Sequence, residues 1–216
     1  MLSRIGSPVT GARSFFGFAG LAVDAGFFGT EPLYQVSTYA RGVESSFSLA
    51  PVGIVRSTRA VAGDDDWDAE TSSIELLAPF DERALRGLDD FSHCIVVYVF
   101  DRATWDESRV LRHPRGNDAW PEVGIFAQRA KDRPNRLGVT TCRIVGVDGA
   151  VLHVSGLDAI DGTPVVDIKP HMREFGPRGD ERQPAWADQL MQGYWEVPPD
   201  APPARAHPLD GRSGQG

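Results

Sequence analysis

The sequence predicts a mainly β fold, in which a single sheet curls into a barrel-like domain with few short helices. Short runs rich in β-branched and aromatic residues alternate with Gly, Pro, Asn and Asp turn signals. Helical periodicity is confined to short stretches. The sequence has no GxGxxG fingerprint between a strand and a helix, so a dinucleotide-binding fold is not supported. The length of 216 residues, 41% of them hydrophobic and 24% charged, is typical of one soluble globular domain with appendages.

The chain divides into three predicted regions. The first fifty residues are rich in Gly, Ser and Thr and lack a sustained period of 2 or 3.6, so we expect a flexible extension over residues 1–47. Ordered sequence follows, and a folded domain is predicted over residues 48–196. The Pro-rich residues 197–216 are predicted to be a disordered tail.

Two strands and an acidic loop open the predicted domain. Residues 51–57 (PVGIVRS) and 74–77 (IELL) have strand composition. The loop between them, residues 63–68, reads GDDDWD and holds one aromatic residue. Two interpretations of Trp67 stay open, because the loop is either a solvated turn or a platform on which the indole stacks against a flat ligand.

The middle of the chain predicts a helix followed by a central strand. Apolar residues in 80–89 repeat at helical spacing, and Gly87 limits the length of that helix. Residues 92–101 (SHCIVVYVFD) form an almost continuous apolar run, which predicts a strand buried on both faces and ending at Asp101. The polar residues 105–120 predict a long loop.

A basic loop, residues 124–138 (GIFAQRAKDRPNRLG), is the most unusual stretch of this acidic chain. Apolar segments flank it, residues 123–127 and 137–147, and both are predicted strands. Proline presets the first central φ of a turn and asparagine tolerates the left-handed region at the second, so Pro134-Asn135 predicts a turn. The loop therefore presents a cluster of cations from a rigid scaffold: Arg129, Lys131, Arg133 and Arg136.

Three carboxylates, Asp158, Asp161 and Asp167, follow the next predicted hairpin, in which Asp148-Gly149 turns into residues 151–155. Their spacing does not match a calcium loop, so no metal site is predicted. Asp161 and Asp167 are candidate general bases, and the alternative for Asp161 is that it caps its own turn. The last predicted elements are a strand at 165–168, a charged loop at 173–183 and a helix at 186–194.

Charge and cysteine content narrow the function classes. A formal net charge of -8 argues against a surface that coats nucleic acid, so a nucleic-acid substrate would be held by local basic patches. We expect such a patch at Lys131, Arg133, Asn135, Arg136 and Lys169, joined by Arg173. Cys94 and Cys142 lie in strand-like runs without CxxC spacing, which predicts buried free thiols in a reducing cytoplasm. No stretch reaches the length of a transmembrane helix.

Four motifs together resemble the TsaA-like or TrmO family, also called YaeB. In order they read PVGIVRS, ALRGLDDFSHCIVVYVF, GIFAQRAKDRPNRLGVTTCRIV and GLDAIDGTPVVDIKPH, and they cover roughly residues 51–170. The resemblance implies a barrel-like cytoplasmic homodimer that uses S-adenosylmethionine to methylate the N6 nitrogen of threonylcarbamoyl-adenosine beside the tRNA anticodon. It also implies a cofactor pocket built from Asp66, Trp67, Phe100, Asp101, Arg129, Leu137, Val139, Leu157, Asp158, Ala159 and Ile160.

The chain departs from the family pattern at two loops. It reads RAKDRPNRLG where the tRNA enzymes typically read something like RSPFRPNPIG, and its acidic loop replaces a segment containing Pro and Gly. It therefore resembles a side branch of the family, and the short sequence after Pro170 predicts no larger C-terminal domain. Two other functions stay open at this point: a module that binds S-adenosylmethionine without turnover, and a methyltransferase acting on small molecules.

Overall fold

The computed structural model describes residues 34–40, 43–69 and 71–195, all within the compact unit Glu31–Gly216. The strands are β1 (Tyr34–Ala40), β2 (Val43–Leu49), β3 (Gly53–Arg56), β4 (Thr71–Leu76), β5 (His93–Val99), β6 (Leu111–Arg112), β7 (Val123–Gly124), β8 (Leu137–Asp148), β9 (Val151–Ser155) and β10 (Pro164–Pro170). One α-helix is described, α1 (Ala185–Leu190). The 3-10 helices are Trp67–Ala69, Glu82–Leu85, Leu88–Asp90, Glu107–Arg109, Pro114–Gly116, Ile125–Ala127 and Arg173–Phe175.

The predicted barrel is confirmed. Six strands close in the order β10-β3-β4-β9-β8-β5, and every neighbouring pair is antiparallel. Alternate residues of these strands point inward and form the core, which includes Val55, Ile74, Val96, Leu152 and Val165. Closure removes the exposed strand edges of an open sheet, so the barrel needs little helical cover.

The antiparallel order gives the barrel two distinct ends. At the upper end, β3, β5 and β9 finish and β4, β8 and β10 begin; at the lower end the reverse holds. The acidic loop before β4, the basic loop before β8 and the aspartate-rich segment before β10 therefore all lie at the upper end. Closure of the barrel thus gathers three loops that are far apart in sequence.

The central strand β5 is buried on one face and half-buried on the other, so the prediction of two fully buried faces is wrong. Cys94, Val96 and Tyr98 point into the barrel, whereas Ile95 and Val97 are half-buried. A barrel wall has one interior face, which explains the alternation. Cys94 lies opposite Cys142 of β8; both are free and buried, and burial raises the pKa of the Cys94 thiol to about 11.

Two short elements differ from the predicted ones. Residues 80–89 do not form a continuous helix, because Gly87 adopts φ 81° between two 3-10 turns. Before the basic loop, the predicted strand at 123–127 is reduced to β7, which pairs with β6 and is followed by the turn Ile125–Ala127. The turn at Asp148-Gly149 is confirmed: Asp148 pairs with Val151, and Gly149 adopts φ 57°.

The structure places two strands, β1 and β2, before β3, where the sequence predicts little fixed structure; the flexible extension over residues 1–47 stays a prediction. These strands pair in antiparallel register from Tyr34 opposite Leu49 to Ala40 opposite Val43. β2 is rich in Ser, and the alternation of apolar and polar residues is interrupted in both strands, so the pattern gave only a weak signal. The other residues of the predicted extension, 1–33 and 41–42, and the predicted tail at 197–216 lie outside the described residues.

Candidate functional site

A cleft of about 330 Å³ opens at the upper end of the barrel, between the end of β5, the start of β8 and the basic loop. Ligand pockets begin at about 300 Å³, so this volume suits a small ligand or part of a larger one. Its lining combines aromatic rings, cations and one carboxylate. The residues are Tyr98, Phe100, Phe126, Arg129, Arg133, Pro134, Asn135, Leu137, Gly138, Val139 and Asp158.

The carboxylate of Asp158 is held by three hydroxyl groups from three distant parts of the chain. Tyr98 of β5 donates to Oδ1 at 2.5 Å, and Thr140 of β8 donates to the same oxygen. Tyr194, which follows α1, donates to Oδ2 at 2.7 Å. These bonds fix the orientation of a half-buried negative group at the cleft.

Both tyrosines of this network are held in their protonated form. Burial raises the pKa of Tyr98 well above its ordinary value, and the neighbouring charge of Asp158 adds to the effect. The pKa of Tyr194 is raised for the same reasons, burial first and Asp158 second. Each phenol therefore stays a hydrogen-bond donor at neutral pH, and the acceptor is the carboxylate.

Gly138 explains how the Tyr98 ring reaches this position. The two residues lie opposite each other in the β5–β8 ladder. A Cβ atom at residue 138 would overlap the Tyr98 ring, so the glycine leaves the space that the ring occupies. Phe100 then packs edge-to-face on Tyr98, with ring centroids 5.3 Å apart, and extends the aromatic wall of the cleft.

The basic loop closes one side of the cleft. Its predicted turn is confirmed, since the backbone N–H of Arg136 donates to the carbonyl of Arg133 at 3.1 Å across Pro134-Asn135. The left-handed residue is Arg136, with φ 52°, and not Asn135 as the pattern predicted. The guanidinium of Arg129 donates to the carbonyl of Val139, and that of Arg133 to the carbonyl of Gln128. Both cations line the cleft.

The other predicted substrate residues are placed differently. Lys131 is exposed and 3.4 Å from Asp132. Arg136 turns away from the cleft and donates to the carbonyl of Ala103 at 3.2 Å. Lys169 lies on β10 opposite Ile95, towards the lower end, and pairs with Asp167 at 2.5 Å. Of the five predicted substrate residues, the cleft brings together Arg133 and Asn135.

The acidic loop at the upper end is held by contacts within the protein and does not line the cleft. Trp67 is only 4% exposed, and the guanidinium carbon of Arg59 lies 3.9 Å from the centroid of its ring. Arg59 covers the face of the indole that a flat ligand would need, so the predicted stacking of Trp67 on the cofactor stays a prediction. Asp66 adopts φ 65°, and its backbone N–H donates to the carbonyl of Gly193 at 3.3 Å. Neither residue lines the cleft.

The remaining predicted cofactor residues surround the cleft without lining it. Leu157 and Ala159 are buried in the barrel and Ile160 is half-buried, so they fix the backbone on both sides of Asp158. Asp101 directly follows Phe100 and is half-buried. The predicted cofactor residues that do line the cleft are Phe100, Arg129, Leu137, Val139 and Asp158.

The two predicted bases lie outside the cleft. Asp161 accepts a hydrogen bond from the backbone N–H of Ser57 at 3.2 Å, and Gly162 with φ 82° completes its turn. This hydrogen bond joins the Asp161 turn to the residue that follows β3 and is not the local cap that the alternative predicted. Asp167 lies opposite Val97 on β10 and contributes to a second cleft at the lower end.

Sequence reasoning missed Tyr98, Thr140, Tyr194 and the exposed Phe126. The first two alternate inward along strands, so their pattern is that of ordinary core residues. Tyr194 lay in a predicted helix far from the other members of the network. The one available signal was Gly138, because a glycine inside a strand often marks the close approach of another group.

The family model described as the tRNA-methyltransferase O N-terminal domain matches residues 64–176. The chain belongs to this family. The match includes Tyr98, the basic loop and Asp158, and it ends before α1 and Tyr194. The predicted family membership is therefore confirmed.

Curated relatives match about half of this chain. RcsF of Pseudomonas aeruginosa is 43% identical over 108 residues, which are 48% of this chain and 46% of RcsF. The tRNA (adenine(37)-N6)-methyltransferase of Homo sapiens is 35% identical over 118 residues, 54% of this chain and 26% of that protein. An S-adenosyl-L-methionine-binding protein of Archaeoglobus fulgidus is 36% identical over 130 residues, 59% of this chain and 91% of that protein. The chain thus spans about half the length of RcsF and a quarter of the human protein.

A solved structure agrees with this TrmO assignment. The crystal structure of TrmO from Pseudomonas aeruginosa matches with a TM-score of 0.53 and 31% identity, over 65% of this chain and 61% of that chain. In the part of the chain that the structure describes, no cluster of three or more His, Cys, Asp or Glu side chains is placed to hold a metal ion. Within the same residues, no helix is long and apolar enough to span a membrane.

Proposed function

We propose that the protein transfers a methyl group from S-adenosylmethionine to the N6 nitrogen of an adenosine beside the tRNA anticodon, carrying the threonylcarbamoyl group. The main support for this proposal is that one cleft contains both the fixed carboxylate of Asp158 and the guanidinium groups of Arg129 and Arg133. The names of the human and Archaeoglobus relatives support the reaction and the cofactor.

The lining of the cleft fits the chemistry of the methyl donor. S-adenosylmethionine carries an ammonium, a sulfonium, a carboxylate and an adenine. A carboxylate fixed by three hydroxyls offers an electrostatic partner for the cationic groups. Arg129 offers a fork-shaped donor for the carboxylate, and Phe100 and Phe126 offer aromatic faces for the adenine.

The residues of this chain catalyse mainly by holding the reactants. S-adenosylmethionine, when bound, supplies an electrophilic methyl group that an acceptor nitrogen displaces in line. Asp158 and Arg129 would hold the donor at both of its charged ends, which would convert an encounter between two molecules into a reaction at fixed geometry. No covalent protein nucleophile is required.

The basic loop is the proposed contact with tRNA. Lys131 is an exposed residue of the basic loop, while Arg133 and Asn135 line the cleft itself. A local basic patch is compatible with the acidic chain, because phosphate contacts depend on nearby cations more than on net charge. The differences from RSPFRPNPIG lie in this loop, so we propose that they change how the tRNA is held and not which donor is used.

We also propose that the protein works as a homodimer in the cytoplasm. Phe126 is 80% exposed and Val139 is 43% exposed, and both line the cleft. A second copy that covers these apolar groups would remove them from water and narrow the cleft around the donor. The buried free thiols of Cys94 and Cys142 are compatible with a reducing compartment.

Mass spectrometry of tRNA nucleosides tests the proposed function. Cells lacking the protein are expected to lose methylated threonylcarbamoyl-adenosine, and expression of the wild-type gene is expected to restore it. The matched control is the Asp158→Asn variant, which is expected not to restore the nucleoside. Purified protein that binds S-adenosylmethionine but methylates no tRNA would contradict the proposal and favour a binding module. Transfer to small metabolites with unchanged tRNA would instead favour a small-molecule methyltransferase.

A further inference from the structure

The segment at residues 184–195 reaches the carboxylate of Asp158 from outside the residues that match the family model. That match ends at residue 176, whereas α1 begins at Ala185 and the turn after it carries Tyr194. The turn is closed by hydrogen bonds within the segment, including Tyr194 N–H to the carbonyl of Met191 at 3.2 Å. Gly193 at φ 78° then redirects the chain towards the barrel. The segment therefore lies outside the matched residues.

Several hydrogen bonds fix the segment to two loops of the upper end. The backbone N–H of Asp66 donates to the carbonyl of Gly193 at 3.3 Å, and that of Trp67 donates to the carbonyl of Tyr194 at 3.1 Å. On the other side, the indole N–H of Trp120 donates to Oε1 of Gln189 at 2.8 Å. The segment is thus held from both sides next to the carboxylate of Asp158.

Two residues beside the segment adopt left-handed backbone conformations that are unfavourable for side chains with a Cβ. Asp66 has φ 65° and Arg115 has φ 51°. The guanidinium of Arg115 pairs with Asp65 at 2.7 Å and lies 6.0 Å from the centroid of the Tyr194 ring. Such conformations persist where surrounding contacts enforce them, and they are frequent near functional sites. Both residues contact the segment, Asp66 through the carbonyl of Gly193 and Arg115 over the Tyr194 ring.

The phenol of Tyr194 completes the set of donors on Asp158. Tyr98 and Thr140, both inside the matched domain, donate to Oδ1. Tyr194 donates to Oδ2, so the carboxylate is held at both oxygens and cannot rotate without losing a bond. A carboxylate with a fixed orientation attracts a cation from a defined direction.

We propose that Tyr194 is a positioning residue for the methyl donor, which acts by fixing Asp158 and is supplied by this chain's own C-terminal segment. This inference rests on the proposed function, because it assumes that Asp158 faces the cationic part of S-adenosylmethionine. It adds a residue outside the matched domain to the donor site. Tyr194 is not among the residues that line the cleft, so it would affect donor binding indirectly, through Asp158.

The test compares wild-type protein with Tyr194→Phe, which keeps the ring and removes the hydroxyl. Isothermal titration calorimetry with S-adenosylmethionine is expected to show a Kd raised about tenfold, because Asp158 loses a bond that fixes its orientation towards the donor. With saturating S-adenosylmethionine, the kcat for methyl transfer to tRNA is expected to stay within about twofold of wild type. An unchanged Kd, or a loss confined to kcat, would overturn the inference.

Two further variants separate positioning from general support of the fold. Gln189→Met removes the hydrogen bond to Trp120 from the same segment and is expected to keep the wild-type Kd; a loss as large as that of Tyr194→Phe would overturn the inference. In an Asp158→Asn background, Tyr194→Phe is expected to add no further loss, and an additive loss would also overturn it. Wild-type protein that fails to bind S-adenosylmethionine would reject the proposed function and this inference together, whereas equal binding by wild type and Tyr194→Phe would reject the inference alone.

Discussion

The upper and lower ends of the barrel carry clefts of the same volume, about 330 Å³, with different chemistry. The lower cleft is lined mainly by apolar side chains, including Leu76, Phe80 and Ile168, and its carboxylate, Asp167, is paired with Lys169 at 2.5 Å. The upper cleft holds a carboxylate that hydroxyl groups orient, and two guanidinium groups line the same cleft. Size alone does not identify a binding site; convergent polar groups in an otherwise apolar cleft do.

The largest expected effect is on methyl transfer, and it distinguishes Asp158 in the upper cleft from Asp167 in the lower one. Asp158→Asn keeps the shape of the side chain but removes the charge that attracts the donor, so kcat/KM for methyl transfer is expected to fall about 100-fold or more. Asp167→Asn at the lower end is expected to stay within about twofold of wild type. Both values come from transfer of labelled methyl groups to tRNA. A large loss in Asp167→Asn with little change in Asp158→Asn would favour the base predicted from sequence and remove the distinction between the ends.

Two glycines provide the next contrast. Gly138→Ala places a Cβ against the Tyr98 ring, so we expect the free energy of unfolding to fall by about 1–3 kcal/mol and donor binding to weaken. Gly87→Ala at the lower end is strained by its φ of 81° and is expected to cost about 1–2 kcal/mol without changing donor binding. Urea denaturation and calorimetry measure the two quantities separately. If both variants bind the donor equally well, the position of Tyr98 does not matter for the site.

Arg129 and Arg86 allow the upper and lower clefts to be compared by the effect of removing a cation from each. Each lines one of the two clefts. Arg129→Gln removes the proposed partner of the donor carboxylate and is expected to raise the KM for S-adenosylmethionine about tenfold, in keeping with the loss of a charge-assisted hydrogen bond. Arg86→Gln is expected to leave that KM unchanged. Steady-state kinetics at saturating tRNA decides the matter, and equal KM values for the two variants would show that Arg129 does not hold the donor.

The smallest expected effect concerns tRNA. Lys131 is exposed but lies 3.4 Å from Asp132, which offsets part of its charge, so Lys131→Ala is expected to weaken tRNA binding only about twofold. The matched control is Arg83→Ala, which removes an exposed cation near the lower end that is paired with Asp81. Filter binding at several salt concentrations measures both. A greater loss for Arg83→Ala would place the tRNA surface at the lower end.

Local sequence patterns predicted much of the fold. The apolar run of β5, the turn at Pro134-Asn135 and the hairpin at Gly149 were predictable because strand alternation and turn chemistry act over a few residues. The pattern failed at residues 80–89, where one glycine conformation replaced a helix with two turns, and it gave only a weak signal for β1 and β2. For the site, sequence and family resemblance named Arg129, Arg133 and Asp158, which share the cleft. They also named Trp67 and Asp161, whose side chains are occupied by Arg59 and by the backbone of Ser57.

The sequence by itself determined a β-barrel with three polar loops and the identity of the family. Only the tertiary structure decided that Tyr98, Thr140 and Tyr194 meet on Asp158, that Trp67 is covered, and that Asp167 faces the lower end. The physical reason is closure of the barrel. Periodicity fixes which face of a strand a side chain occupies, but the register between strands fixes its height along the barrel, and register depends on pairing with residues far away in the chain.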